Sequence, residues 1–387
     1  MAHLDTVPGI DRLVTENLRA LEAAFAERGH VLLVAGGAVR DLLAGRAPAD
    51  VDLAVNAGLS AIRAAIAAAG GRAVASGTDH GTLTAVFAET RYEITQALAP
   101  AGRDPFADDA RRRDLTINAL FATLDGWLID HVGGADDLAA GRVRFTGHAL
   151  SRIDADPLRI LRFFRFAAGY GDPHAELDPA AATAIQVRAH RLAAVPGERI
   201  RKELSGFLTT PEAARLTPAM RAAGVTAALG LDGLDATAFD DAAGTVARFE
   251  HALAWAAPDD ASLDPIARRL RLSRAETGRM RALRAARRSL AGMRIDKLRA
   301  AVGAGHDAGV LADLLRLTGR GAQVDTLLTP APPAFPVTGD DLLAAGAEQG
   351  PSLGRLLAGL KDDWIAAGGT LDRPALVARA RARITPA

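Results

Sequence analysis

VLLVAGGAVRDLLAGRAPADVDLAV, residues 31–55, reads as a buried strand, a glycine turn, a short helix, a loop and a second strand carrying two aspartates. Residues 31–35 form a short apolar run rich in β-branched side chains that stops at Gly36 and Gly37, where a backbone can take positive φ or approach a ligand closely. Residues 39–43 supply a helical turn with Arg40 and Asp41 near its start. In the second strand Asp50 and Asp52 are two residues apart, so the strand period of two places both carboxylates on one face. Two adjacent carboxylates repel each other unless a cation lies between them, and together with the glycine turn they point to a metal-and-phosphate site.

The rest of the chain sets the context. Its 387 residues exceed one ordinary core and imply two to four domains. Alanine and leucine dominate while aromatics are only 4%, a balance that favours helix over sheet. The absence of cysteine excludes disulfides, zinc–thiolate sites and thiol nucleophiles. The first residues lack a basic start followed by an apolar stretch, and no run of about 18 apolar residues occurs, so a cytoplasmic location is expected. Net charge is zero, which argues against broad attraction to nucleic acid. Residues 268–299 are nonetheless crowded with arginine, against only Glu276 and Asp296 within the run. That pattern is either a solvated helical face or a phosphate-binding surface.

Residues 11–28 have the apolar spacing of an amphipathic helix leading into the opening strand. Residues 60–69 form an alanine-rich helix that Ser60 could cap, stopped at Gly70 and Gly71. Residues 82–87 and 91–95 read as two strands joined by a tight turn, and Glu93 on the second is a third carboxylate able to face the first pair. His80, before that hairpin, reads as a histidine that fixes a loop. Residues 96–110 carry prolines, glycine and acids without periodicity and are expected to be a loop. If the segment from Asp114 is helical, Asp114 and Asn118 share a face with Arg111. Arginines, an acid and an amide on one face suit a nucleotide, though they also suit an ordinary surface helix. Residues 127–130 could be a last strand, and beyond about residue 147 only helical patterns remain. Asp156, Arg159 and Arg162 are spaced by three and form a polar stripe, either an internal ion-pair network or part of the aspartate site. Another helix starts at Pro196, with Glu198 favourably placed in its first turn. TPAPPAFP, residues 329–336, is the clearest linker.

GGAVRD followed by DVD, then RRRDLTINAL, DPLRILRFFRFAA and GERIRKEL together resemble the ordered motifs of the class II tRNA nucleotidyltransferases and bacterial poly(A) polymerases, within the DNA polymerase β superfamily. These motifs span residues 31–208, and TGDDLLAAGAEQGPSLGRLL resembles part of that family's tail. The resemblance implies an α/β nucleotidyltransferase head, a mixed sheet with helices, followed by all-α neck, body and tail domains. The expected divisions are a head over 1–147, a neck over 148–210, a tRNA-binding body over 211–328 and a tail over 329–387.

The same resemblance implies that Asp50 and Asp52 hold Mg2+, with Glu93 as a third catalytic carboxylate. Gly36, Gly37 and Arg40 would lie along the triphosphate; Arg113 and Asn118 would line the nucleotide site, with Asp114 on the ribose. Asp156 and Arg159 match the positions that read the incoming base, and Arg162 would add a phosphate or base contact. The implied reaction is addition of C, C and A to the tRNA 3′ end from CTP and ATP, with the protein as template. Two departures from the family pattern stand out. Ala155 replaces the glutamate usual before the base-reading aspartate, which weakens support for that helix start. The segment 96–110 looks like the shortened form found in enzymes that add only the two cytidines. A CC-adding enzyme is therefore the first alternative, followed by a poly(A) polymerase and by a non-catalytic RNA-binding relative.

Overall fold

A computed structural model describes residues 6–77 and 81–384. His80 lies outside the described residues. The chain divides into two compact units, residues 1–195 with 222–228, and residues 196–221 with 229–387.

The first unit is built on a seven-stranded mixed sheet, with β1 Leu32–Ala35, β2 Asp52–Val55, β3 Arg72–Gly77, β4 Thr82–Val86, β5 Arg91–Gln96, β6 Leu120–Ala122 and β7 Leu128–Asp130. Their spatial order is β3-β4-β5-β2-β1-β6-β7, and only β2 and β5 run parallel. Both faces of the sheet are covered, which is why β1 is apolar without alternation. On one face Leu32 and Val34 join Leu18, Leu21 and Phe25 of α1 (Glu16–Ala26) and Ile62 and Ile66 of α3 (Leu59–Ala68). On the other, Leu33 and Ala35 meet Phe106 and Ala110 of α4 (Pro105–Arg112) and Phe121. Each such large side chain, taken fully from water, contributes about 1.5–3 kcal/mol.

The mixed α/β head followed by helix alone agrees with the sequence reading; every regular element described after residue 147 is helical. Four local expectations are corrected. Residues 96–110 are not a loop throughout: the Asp104 carboxylate accepts from the N–H groups of Phe106 and Ala107 at 2.9 and 3.4 Å and Pro105 opens α4. The irregular part is confined to 97–104. The segment from Asp114 is not an α-helix; Leu115 is extended and a single 3-10 turn, Thr116–Asn118, leads into β6. Ser60 is not a cap, because α3 begins at Leu59 behind Gly58 with no side-chain cap. Asp50 precedes β2 rather than lying on it, since pairing starts at Asp52.

The helices that carry the neck motifs follow α5 (Gly134–Ala139): α6 Ala149–Ala155, α7 Arg159–Tyr170 and α8 Pro179–Arg188. Asp156 ends α6, and its carboxylate accepts from the Leu158 N–H at 3.2 Å just before α7 starts.

In the second unit, α9 (Gly197–Leu208) starts at Pro196 as expected. The arginine-rich run lies largely on the helix Arg274–Leu290, which opens with a capping box between Ser273 and Glu276 and buries Met280, Leu283, Ala286 and Leu290. Its charges are answered from elsewhere in the chain: Arg279 pairs with Glu250 at 2.6 Å, Arg281 with Asp264 at 2.7 Å, and Arg284 and Arg288 with Asp260 at 2.6 and 3.1 Å. Arg287 lies 3.9 Å from the Trp255 ring centroid. For these side chains the ion-paired surface is what the structure contains. The proline-rich segment is irregular but packed, because a Cβ at Gly303 would fall 1.7 Å from the Pro333 carbonyl oxygen.

Candidate active site

The glycine turn, the two strands that bear carboxylates and the segment 113–118 converge in the first unit. Gly36 has φ 65° and ψ −113°, a conformation closed to side-chain-bearing residues. Its N–H donates to the Leu120 carbonyl at 2.8 Å, which joins the turn to β6. A Cβ at Gly36 would stand 2.6 Å from Arg113 Nη1 and 3.3 Å from the Asn118 carbonyl oxygen. The glycine is therefore needed for both backbone shape and space. Gly37 opens the helix α2, Gly37–Leu43, and a Cβ there would meet nothing nearer than Arg40 Nη2 at 3.7 Å.

Asp52 and Glu93 are register partners on the parallel strands β2 and β5. Asp52 is exposed to solvent, yet its carboxyl is held above the ordinary aspartate value. Burial by surrounding protein is the largest cause, followed by the charges of Glu93 and Asp50, against which Arg113 acts in the opposite sense. This mutual repulsion fits a divalent cation bound through oxygen. Mg2+ is commonly held by one or two carboxylates together with water and substrate phosphates. Among the described residues no three acidic, histidine or cysteine side chains are gathered closely enough to hold a metal by themselves. Asp52 and Asp50 could hold such an ion only in an open site, with water and substrate oxygens completing its shell.

Arg113 links the carboxylates to the rest. Its Nε donates to Asp109 at 3.0 Å, its Nη1 donates to the Asn118 carbonyl at 3.1 Å, and its guanidinium lies 4.8 Å from the Phe121 ring centroid. Asp114 and Asn118 are buried. Asp114 Oδ1 accepts from the Leu115 N–H at 2.8 Å and from Asn118 Nδ2 at 3.1 Å, while its Oδ2 accepts from Arg162 Nε at 2.5 Å. Burial acts most strongly on Asp114 and in the upward direction, but Arg162 and the hydrogen bonds outweigh it and leave the carboxyl below its ordinary value. The Asp114–Asn118 pairing expected from a helix is thus made by a 3-10 turn. Arg111 takes no part in it and turns to Asp108 at 3.3 Å.

Arg40 is only 8% exposed and points inward. Its Nη1 donates to Asn118 Oδ1 at 2.5 Å, and its Nε and Nη2 donate to Asp41 Oδ1 at 2.9 and 2.7 Å. In this arrangement Arg40 braces Asn118. Arg159 Nη1 donates to the Arg152 carbonyl at 3.1 Å and Nη2 to that of Arg112 at 3.4 Å. Burial lowers the Arg159 guanidinium from its ordinary value, with Asp114 and Asp156 opposing the shift. Ala155 is exposed at the end of α6.

Several residues that organise the site carried no role in the sequence reading. Thr146 Oγ1 donates to the Arg113 carbonyl, and its N–H donates to the Asp114 carbonyl at 3.0 Å. Asp137, wholly buried, accepts from Thr116 Oγ1 at 2.7 Å and from Arg142 and Arg144 at 3.1 and 2.9 Å. Arg152 Nη1 donates to the carbonyls of Arg111 and Arg112, each at 3.1 Å. Local pattern does not reveal most of these partners: apart from Arg142 and Arg144 beside Asp137, they are 20 to 40 positions away or more. One signal was available: Arg162, Phe166 and Tyr170 follow one another along α7 at a spacing of four, which puts them on one side of the helix.

The family described as "Poly A polymerase head domain" matches residues 32–144, and that described as "Probable RNA and SrmB- binding site of polymerase A" matches residues 176–230. The chain is 32% identical over 408 residues to the mitochondrial CCA tRNA nucleotidyltransferase 1 of Mus musculus, an alignment that covers 96% of this chain and 91% of the mouse protein. It is 41% identical over 212 residues to the Homo sapiens protein of the same name, spanning 52% of this chain and 49% of the human one. In fold it is similar to the CTP complex of the Bacillus stearothermophilus CCA-adding enzyme, with a TM-score of 0.73 at 24% identity, covering 96% of this chain and 98% of that one.

Proposed function

From the premise that this chain belongs to the class II tRNA nucleotidyltransferase and poly(A) polymerase family, we propose that it adds C, C and A to the 3′ end of tRNA from CTP and ATP. The supporting observation is the position of Arg113. Its charge acts on the Asp52 carboxyl and its Nη1 donates to the carbonyl of Asn118, whose side chain bonds Asp114, which supports reading the carboxylates and the Asn118–Asp114 pair as one site.

In this reading the head is 1–147, the neck 148–210, the body 211–328 and the tail 329–387. Asp50 and Asp52 would hold Mg2+, which when bound would supply charge stabilisation at the triphosphate and lower the pKa of the attacking 3′-hydroxyl. Glu93 keeps the field at Asp52 negative. The Gly36–Gly37 turn allows close approach of the triphosphate, while Arg113 and Arg162 supply positive charge beside it. Asn118 and Asp114 orient the ribose, and their own hydrogen bonds hold them ready before substrate arrives. No side chain need serve as general base.

Asp156 and Arg159 read the base. A carboxylate accepts from an exocyclic amine and an arginine donates to the neighbouring ring nitrogen. Cytosine and adenine offer that edge; uracil and guanine present a carbonyl beside a ring N–H. Each unmatched buried polar group costs about 1–3 kcal/mol, enough to reject UTP and GTP. To turn toward a base Arg159 would exchange its bonds to the Arg152 and Arg112 carbonyls, 3.1 and 3.4 Å long, for bonds to the base. The tRNA acceptor arm is the expected partner, held through shape and backbone.

A CC-adding enzyme is the second reading, favoured by the short irregular segment at 97–104. Extension of tRNA ending at the discriminator base, and of tRNA ending in CC, with CTP and ATP supplied separately, distinguishes the two. Incorporation of A onto the CC-ended tRNA is expected, and its failure sinks the full CCA reading. Lack of incorporation from any nucleotide with Mg2+ points instead to a non-catalytic RNA-binding relative. The cytoplasmic expectation rests on sequence; among the described residues no helix is long and apolar enough to cross a membrane, and the mouse and human relatives are named as mitochondrial.

A further inference from the structure

The helix α7 is tied to the nucleotide site at both of its ends. At its beginning, Arg162 pairs with Asp114 at 2.5 Å. At its end, one oxygen of Asp41 gathers three donors, Arg40 Nε at 2.9 Å, Arg40 Nη2 at 2.7 Å and Tyr170 Oη at 2.5 Å. The guanidinium groups of Arg40 and Arg46 each lie 4.4 Å from the Tyr170 ring centroid, and Arg40 is 4.8 Å from that of Phe166. Arg46 Nη2 also donates to the Gly169 carbonyl at 2.7 Å. Burial, and then the bond to Asp41, hold the Tyr170 hydroxyl above its ordinary pKa, so it stays a donor.

We propose that Asp41 and Tyr170 form a positioning clamp that sets where α7 stands relative to the glycine turn, and through it the selectivity for the incoming base. Both are positioning residues that act through Arg40 and α7. Arg40 is shared between the clamp and Asn118, so a shift at Tyr170 reaches the ribose side of the site through three hydrogen bonds. A 12-residue helix spans about 18 Å and is stiff, so releasing one end displaces the other, where Arg159 begins the helix. Base discrimination depends on hydrogen bonds that tolerate only small misplacement. The clamp should therefore affect selectivity more than nucleotide affinity.

The inference rests on the nucleotide-addition reading and is tested with the full chain by measuring equilibrium binding of CTP and UTP without tRNA, beside single-nucleotide transfer to tRNA. Tyr170→Phe keeps the ring and its arginine contacts and removes only the hydroxyl. It is expected to lower the CTP-over-UTP preference about tenfold in both assays, as befits one lost hydrogen bond to a charged group. Asp41→Asn, which also weakens the two bonds from Arg40, is expected to lower it at least as far, and the double variant to lose little more than Asp41→Asn alone, since the Tyr170 bond is already among those it disturbs. Thermal unfolding separates this from general loosening, which would lower Tm without changing the preference. A Tyr170→Phe protein that discriminates as the wild type does overturns the clamp, as does full additivity in the double variant. A wild-type chain that binds CTP and UTP equally would instead overturn the base-reading assignment, and the clamp with it.

Discussion

Substituting Gly36 and Gly37 one at a time separates the shape of the turn from its use. Alanine at Gly36 must hold φ 65° and ψ −113°, which for a residue with a Cβ costs about 1–3 kcal/mol. The new methyl also starts 2.6 Å from Arg113 Nη1 and must displace it. Losing the 3.1 Å bond from Arg113 to the Asn118 carbonyl adds about 0.5–1.5 kcal/mol. The expected total is about 2–4 kcal/mol of lost stability. Gly37→Ala meets only ordinary contact at 3.7 Å within a helix and should change stability by no more than about 0.5 kcal/mol. Urea denaturation of the full chain, followed by circular dichroism, reads both values at once. Gly36→Ala should move the midpoint sharply downward and abolish transfer. Gly37→Ala should leave the midpoint in place while weakening CTP binding, because its methyl would stand in the proposed approach of the triphosphate. A Gly36→Ala midpoint equal to the wild type would refute the reasoning, and so would equal losses in the two variants.

Three other outcomes are expected. Asp52→Asn should raise Tm at neutral pH while abolishing transfer. The folded pKa of Asp52 is above its unfolded value, so the stability linked to this group is present below the unfolded pKa and lost as pH rises through the folded one. The gain from the amide should thus vanish in mild acid, and a variant less stable than wild type at pH 7 would contradict the account. Arg162→Met leaves Asp114 buried without its counter-charge and should cost about 3 kcal/mol in urea denaturation. Because the Asp114 carboxyl is depressed, that difference should narrow as pH falls below the ordinary aspartate range. In the second unit, Asp313→Ala removes the acceptor of His251 Nδ1 at 2.7 Å and of the Ala247 and Arg248 N–H groups at 2.9 and 3.3 Å. The stranded buried donors should cost about 2–4 kcal/mol, and unchanged urea resistance would show that water satisfies them.

What was legible in advance depended on distance along the chain. The run from Val31 to Ala35, Gly36, and the acids at Asp50 and Asp52 declare a strand, a turn and a repulsive carboxylate pair through chemistry within a few residues of each other. Motif order was enough to identify the family. The helix α4 was missed because its signal was a single capping aspartate before a proline, in a stretch with no apolar period. The extended backbone at Leu115 was missed for the opposite reason, since Asp114 and Asn118 keep helical spacing although a 3-10 turn joins them.

By itself the sequence determined the kind of site: glycines, carboxylates and arginines of the right chemistry, ahead of a chain that could only be helical. Tertiary structure decided which charges are spoken for. Arg279, Arg281, Arg284 and Arg288 are paired with Glu250, Asp260 and Asp264, and Arg40 is drawn inward to Asp41, Asn118 and Tyr170. A charge in a sequence carries no record of its partner, because opposite charges are brought together by the packing of apolar faces that lie far apart in the chain. Only the folded backbone shows whether an arginine faces a phosphate or another part of its own protein.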